Sequence, residues 1–217
     1  MRRLLLLPIV IVLFAVASPA HATSIPLSVV NDSYISSVSM STNFGTQDSL
    51  IVSANNTALL QFDLFALPVG VKSSDIVSAT ATLPGTLGDA GAFDLSLLTS
   101  AWTENSVTFN TRPTFTLLSG NIAVAALPIT LDLTSVVQNW VANPATNFGL
   151  QLAINSGAPI TSFFLNSKES DTLHASLDVI LKDTSGTPAA VPEPASLLLL
   201  GTGLIGAGVR RHRRKRP

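Results

Sequence analysis

Eight of the twelve lysines and arginines in this 217-residue chain stand at its two ends, each group beside an apolar run. Arg2 and Arg3 precede the run from Leu4 to Val16, and Arg210, Arg211, Arg213, Arg214, Lys215 and Arg216 follow the run from Ala195 to Val209. Between residues 23 and 190 only Lys72, Arg112, Lys168 and Lys182 oppose twelve carboxylates, a formal charge of −8. Short apolar runs flanked by arginine are addressing or membrane segments, so the folded part of the chain is expected in the acidic middle. The whole-chain charge of −1 and mean hydropathy of +0.46 average three unlike regions.

That partition excludes several chemistries. A middle of charge −8 offers no footprint for a phosphate backbone, so nucleic acid is not an expected partner. The absence of cysteine removes disulfides, thiolate metal sites and cysteine nucleophiles. His21 and His212 belong to the ends and leave His174 alone in the middle, which rules out a multi-histidine metal site within one chain.

At the start, Arg2-Arg3, the apolar run and small residues ending in Ala20-His21-Ala22 have the three parts of a secretory signal peptide. Residues 1–22 are expected to be removed, with Ala20 and Ala22 marking the cleavage site. The alternative, an uncleaved anchor, needs about 20 spanning residues, more than this run holds. At the other end, Pro192-Glu193-Pro194 precedes the apolar segment and the arginine cluster. As a helix the segment reaches about 22 Å against a hydrocarbon core of about 30 Å, so a weak, transient inner-membrane anchor is expected. Thr202 with Gly206 and Gly203 with Ala207 also have the spacing of a helix-packing face. The basic tail belongs on the cytoplasmic side, and the export signal on the same chain argues against a nucleic-acid arm.

Pro192-Glu193-Pro194, the apolar segment and the basic tail of Arg210, Arg211, Arg213, Arg214, Lys215 and Arg216 together resemble a PEP-CTERM sorting signal. The resemblance implies an exosortase as partner, a transpeptidase-like membrane protease of Gram-negative bacteria that make extracellular polysaccharide. It implies an exported protein of the cell envelope or extracellular matrix.

The middle, residues 23–182, reads as short strands separated by Gly, Pro, Asn and Asp. In Leu59–Leu64 the residues Leu60, Phe62 and Leu64 alternate with Gln61 and Asp63, the pattern of a half-buried strand. Residues 76–83, 93–98, 117–126, 150–154, 161–165 and 177–181 are further strand candidates, with turns expected at Pro68-Val69-Gly70, Pro84-Gly85, Gly88-Asp89 and Ser119-Gly120-Asn121. Leu133, Val136, Val137 and Trp140 fall at helical spacing, with Asp132 or Thr134 to cap the start and Asn143-Pro144 to end it. The expected fold is all-β, a jelly-roll-type β-sandwich with one short helix, flanked by the signal peptide and the apolar sorting helix. Residues 183–191 read as a linker and residues 192–217 as the sorting signal. Thr-Asn-Phe-Gly occurs at residues 42–45 and 146–149, too short for a repeat architecture and expected to be a glycine-ended turn.

LLQFDLFALPVG, WTENSVTFNTRP, LDLTSVVQNWV followed by NFGLQL, and FFLNSKES are similar, in that order, to landmarks of the DNRLRE domain family, grouped with carbohydrate-binding modules as family 96. The six-letter motif that names the family is absent, and Leu173-His174 stands where a proline is expected. The resemblance implies a jelly roll that binds carbohydrate.

No catalytic residue, cofactor or metal ligand is assigned from the sequence. Glu104 and Glu169 are the only glutamates of the middle, and a glycosidase needs two carboxylates flanking one bond. His174 lacks a Gly-x-Ser-x-Gly partner. An ion pair of Glu104 with Lys168 or Arg112 is the simpler expectation. Trp102, Glu104, Arg112, Lys168 and Glu169 are therefore candidates for ligand binding or for a structural role. The leading reading is an exported, non-enzymatic, structural or carbohydrate-binding protein sorted by an exosortase. The alternatives are a polysaccharide hydrolase or lyase using Glu104, Glu169 or His174, and a scaffold for self-association. The charge of −8 disfavours polyanions, so neutral polysaccharide, or contact bridged by calcium, is the expected ligand.

Overall fold

The computed structural model describes residues 23–154 and 162–182; the signal peptide, the linker, the sorting motif at Pro192, Glu193 and Pro194, and the basic tail lie outside them. Ala22–Lys182 is one compact unit. Its strands are β1 (Thr23–Ser36), β2 (Ser49–Val52), β3 (Asn56–Phe62), β4 (Ile76–Leu83), β5 (Gly85–Asp89), β6 (Gly91–Leu98), β7 (Phe115–Val124), β8 (Ile129–Asp132), β9 (Leu150–Ile154), β10 (Ser162–Asn166) and β11 (Ser176–Leu181), with one α-helix, α1 (Thr134–Ala142). The all-β sandwich with a single short helix is what forms. Among these residues no helix is long and apolar enough to cross a membrane.

An eight-stranded sheet runs β7-β6-β9-β3-β1-β11-β4-β8 and a three-stranded sheet runs β2-β10-β5. All pairings are antiparallel. β1 joins the two halves of the large sheet: residues 23–28 pair with β11, and from Val29 onward, with a bulge between Val29 and Asn31, the strand pairs with β3. The small sheet carries the crossovers, because β2 lies between β1 and β3 in sequence, β5 between β4 and β6, and β10 between β9 and β11. Leu50, Val52, Phe163 and Leu165 from the small sheet share one core with Leu60, Phe62, Phe93, Leu152 and Leu177 from the large one. Burial of these side chains is the main stabilising term, about 25 cal/mol per Å² of apolar surface.

Strand periodicity explains a second, smaller core. Leu59 points away from Leu60, and on that outer face it packs with Ile35, Leu98 and Val107, flanked by Trp102, Phe109 and Phe148. The segment from residue 99 to 114, which crosses this face between β6 and β7, therefore covers apolar side chains on a sheet already packed on its other side.

The helix forms as its stripe predicts, with Leu133, Val136, Val137 and Trp140 buried. Asp132 Oδ1 accepts from the Thr134 amide at 2.9 Å and the Thr134 hydroxyl at 2.6 Å, and that hydroxyl oxygen accepts in turn from the Ala79 amide. Asn143 ends the helix and Pro144–Thr146 make a 3-10 turn.

Three expectations are corrected. Gly85, Gly88 and Asp89 are not in turns but in β5, which Pro84 alone separates from β4; a Cβ on Gly85 would lie 2.0 Å from the Phe164 carbonyl oxygen, so the glycine permits close strand approach instead of chain reversal. Ser119-Gly120-Asn121 sits inside β7, where bulges shift the register against β6 and Asn121 takes a φ of 58°. The strand read as Leu59–Leu64 is shifted to Asn56–Phe62, because Asp63 Oδ1 accepts from the Phe65 amide and turns the chain before Leu64.

Candidate functional site

Two of the polar groupings among the described residues contain a buried side-chain oxygen with no hydrogen-bond partner. The first is built on β1. Asp32 lies opposite Leu60 in the ladder, so it shares the inward face of the sheet and is 1% exposed. Its Oδ2 accepts from the Lys168 amide at 2.8 Å. Lys168 and Glu169 are presented by a turn after β10, in which Ser167 Oγ accepts from the Glu169 amide and the Ser167 carbonyl from the Ser170 amide. The Lys168 ammonium lies 2.7 Å from Glu104 Oε1 and 2.6 Å from Glu169 Oε1. Glu104 is held in a turn closed by the Val107 amide donating to the Thr103 carbonyl. Asn43 Nδ2 clamps that turn by donating to the carbonyls of Glu104 and Val107 at 2.6 and 2.7 Å. Gly45 follows because a Cβ there would meet the Glu104 carbonyl oxygen at 2.4 Å.

Electrostatics in this cluster follow from burial and crowding. Burial pushes the Asp32 carboxyl up to about 7; the Lys168 amide opposes the rise, and the nearby Glu169 and Glu104 charges reinforce it. Burial likewise raises Glu104 against the pull of Lys168. For Glu169 the upward push of burial is outweighed by hydrogen bonds from Lys168 and Glu104 and by the Lys168 charge, which hold the carboxyl below its usual range. Burial lowers Lys168, but its hydrogen bonds to Glu104 and Glu169 outweigh that and raise it. One oxygen from each of Asp32, Glu104 and Glu169 lies within 4.8 Å of the others.

The second place is a groove of about 590 Å³ bounded by β1, β3 and the 63–71 loop. A chain of amides paves it: Asn31 Nδ2 donates to Gln61 Oε1 at 2.8 Å, Gln61 Nε2 to the Asn147 carbonyl at 2.6 Å, and Asn147 Nδ2 to the Phe62 carbonyl at 3.0 Å. Phe65, 99% exposed, and Val69 stand over this groove, and Asp63 is the one charged residue of its lining.

Residues 23–180 match carbohydrate-binding module family 96, and residues 190–214 match the PEP-CTERM protein-sorting motif. The chain belongs to carbohydrate-binding module family 96. No curated protein matches it. With the sorting motif, the family 96 module is part of an exported protein sorted through the cell envelope.

Of the sequence candidates, the module brings Glu104, Lys168 and Glu169 together and leaves Arg112 and Trp102 elsewhere. Arg112 donates to the Phe109 carbonyl at 2.8 Å and stacks over the Phe109 ring at 4.2 Å, so it takes no part in the acidic cluster. Trp102 is half-buried against the outer core and donates from Nε1 to the Phe148 carbonyl at 2.8 Å. His174 is exposed and its Nε2 meets the Ser170 carbonyl. The signal-cleavage residues Ala20 and Ala22 and the sorting residues lie outside the described part. Sequence reasoning missed Asp32, whose only signal is an aspartate on the inward phase of a strand, and Phe65, an aromatic just past a strand end.

Proposed function

We propose that the mature protein is a non-enzymatic carbohydrate-binding component of the cell envelope or extracellular polysaccharide matrix, and that it binds neutral glycan chains in the groove beneath Phe65. Delivery would use the signal peptide of residues 1–22. The sorting signal of residues 192–217 would hold the chain transiently in the inner membrane for the exosortase. The observation that carries the binding reading is a fully exposed phenylalanine beside a row of planar amides. Sugar rings stack their C–H faces on aromatic surfaces while their hydroxyls pair with amide and carboxylate groups. Asp63 is the groove's one charge, and a negative one, which disfavours uronic-acid polymers.

The acidic cluster supports binding over catalysis. A glycosidase leaves room between two carboxylates for a sugar bond, with separations of roughly 5–9.5 Å. Here Glu104 and Glu169 share one ammonium, and Glu104 is buried. His174 is turned to its own loop carbonyl.

The test is a glycan array with the full chain and Phe65→Ala. Binding to neutral polysaccharide, weakened about tenfold or more in the variant, is the expected result. Unchanged binding in Phe65→Ala would move the site elsewhere, and glycan cleavage lost in Glu104→Gln would overturn the non-enzymatic reading.

A further inference from the structure

The cluster around Asp32 does not balance its charge. Three carboxyl groups face one ammonium, a formal −2 when all three are ionised, in a place where Asp32 is 1% exposed. Two of its buried oxygens, Asp32 Oδ1 and Glu169 Oε2, have no hydrogen-bond partner. Buried anionic oxygens without partners are costly, and a fold that keeps them together has a compensating charge at hand.

We propose that Asp32, Glu104 and Glu169 hold one divalent cation of the calcium class, with Lys168 beside it as a further counter-charge. A divalent ion neutralises the remaining −2 and gives the two orphaned oxygens a partner. The donors are carboxylates only, which select hard cations over zinc or copper. Calcium accepts oxygen ligands at about 2.3–2.6 Å, so two ligands on opposite sides of it lie about 5 Å apart, and the three oxygens, all within 4.8 Å of one another, fit inside that span. Magnesium fits less well, because it demands near-ideal octahedral geometry and keeps several waters. Lys168, whose side chain is 31% exposed, reaches in from the rim, so its ammonium can withdraw toward solvent as the ion enters. The ligands come from β1, the 99–114 segment and the turn after β10, so the ion would staple two loops to the first strand.

Thermal unfolding and calorimetric titration of the chelator-stripped full chain with calcium chloride test the proposal, with magnesium chloride as the comparison. One saturable calcium equivalent is expected, with a melting temperature raised by roughly 5–10 °C at a hundredfold excess over Kd. Glu169→Gln should weaken calcium binding at least tenfold while keeping the circular dichroism of the folded chain. Lys168→Met should be less stable than the parent in chelator and regain most of the difference in calcium; folding only in calcium counts the same way. No saturable uptake by the parent chain, or an equal calcium response in Glu169→Gln, would overturn the site and assign the cluster to a proton shared between Asp32 and Glu169.

Discussion

The backbone amide of Lys168 donates to Oδ2 of Asp32 at 2.8 Å, a hydrogen bond that spans 136 residues and fixes the turn after β10 to the middle of β1. The contact uses the main chain of Lys168, while its side chain is committed to Glu104 and Glu169. Removing the acceptor strands a part-buried amide, at a cost of about 1–3 kcal/mol. Asp32→Ala should lose stability of that order in urea unfolding with chelator present. Asp32→Asn should lose clearly less, since its amide oxygen accepts the same bond and one negative charge leaves the cluster. Equal losses in both variants would mean that the Lys168 amide is not what Asp32 holds.

The two Thr-Asn-Phe-Gly segments end in glycines for a shared reason. A Cβ on Gly45 would lie 2.4 Å from the Glu104 carbonyl oxygen, and one on Gly149 would lie 2.2 Å from the Leu60 carbonyl oxygen. Gly149 also has a φ of 93°. Gly70 offers an internal comparison, with a φ of 89° and nothing within 4 Å of its Cβ position. Gly70→Ala should show backbone strain alone, about 1–2 kcal/mol. Gly149→Ala adds the collision with β3 and should cost about 3 kcal/mol or more, or prevent folding. Chemical denaturation of the pair checks this, and similar losses would show that β3 shifts to accommodate the methyl group.

Where the sequence carried a periodic signal, the structure follows it. Ile76–Leu83 and Leu150–Ile154 form strands at the residues their patterning marks, and the stripe from Leu133 to Trp140 lies in the core. The strands that were illegible have physical reasons for it. β1 carries Asn31, Asp32 and Ser33 at its centre, and β5 is built around Gly85 and Gly88, chosen for close approach to β10. β7 is legible as the candidate at residues 117–126, two residues late at each end; it is an edge strand, so Phe115, Leu117 and Leu118 are exposed and its apolar pattern does not report burial. The Glu104–Lys168 pair could be named from two landmarks. Its meeting with Asp32 could not, because only the ladder of β1 with β3 sets which face that carboxylate takes.

Asp132 sets the start of α1 through its bonds to Thr134, and those bonds, the hydroxyl's first and then the amide's, hold its carboxyl below the usual range. A depressed folded value means that the ionised form stabilises the fold. That contribution is fully present above the ordinary carboxylate range and fades as pH falls through the folded value. Because Asp132 is exposed, the effect is at the low end for helix-start contacts, about 0.5–1 kcal/mol near neutral pH. Asp132→Ala should be less stable than the parent by that amount at pH 7, with the gap narrowing as the pH drops below about 3.9. A gap independent of pH would mean that the carboxylate charge contributes nothing to the helix start.

The sorting signal divides the work among chemically distinct parts, and each part makes its own prediction. On the proposed sorting reading, Pro192 and Pro194 would keep the preceding residues out of the helical region and leave Glu193 in extended chain just outside the apolar segment. On the same reading, the segment from Ala195 to Val209 would be too short for a stable span, and the basic residues that follow would keep its end in the cytoplasm. Glu193→Gln should therefore leave membrane arrival intact and slow processing, accumulating the unprocessed chain in the membrane fraction. Deleting residues 210–216 should act earlier, by letting the apolar segment slip through the inner membrane, so that unprocessed chain appears in the periplasm. Immunoblotting of membrane and periplasmic fractions separates the two outcomes. Unchanged size and location in both variants would refute the reading.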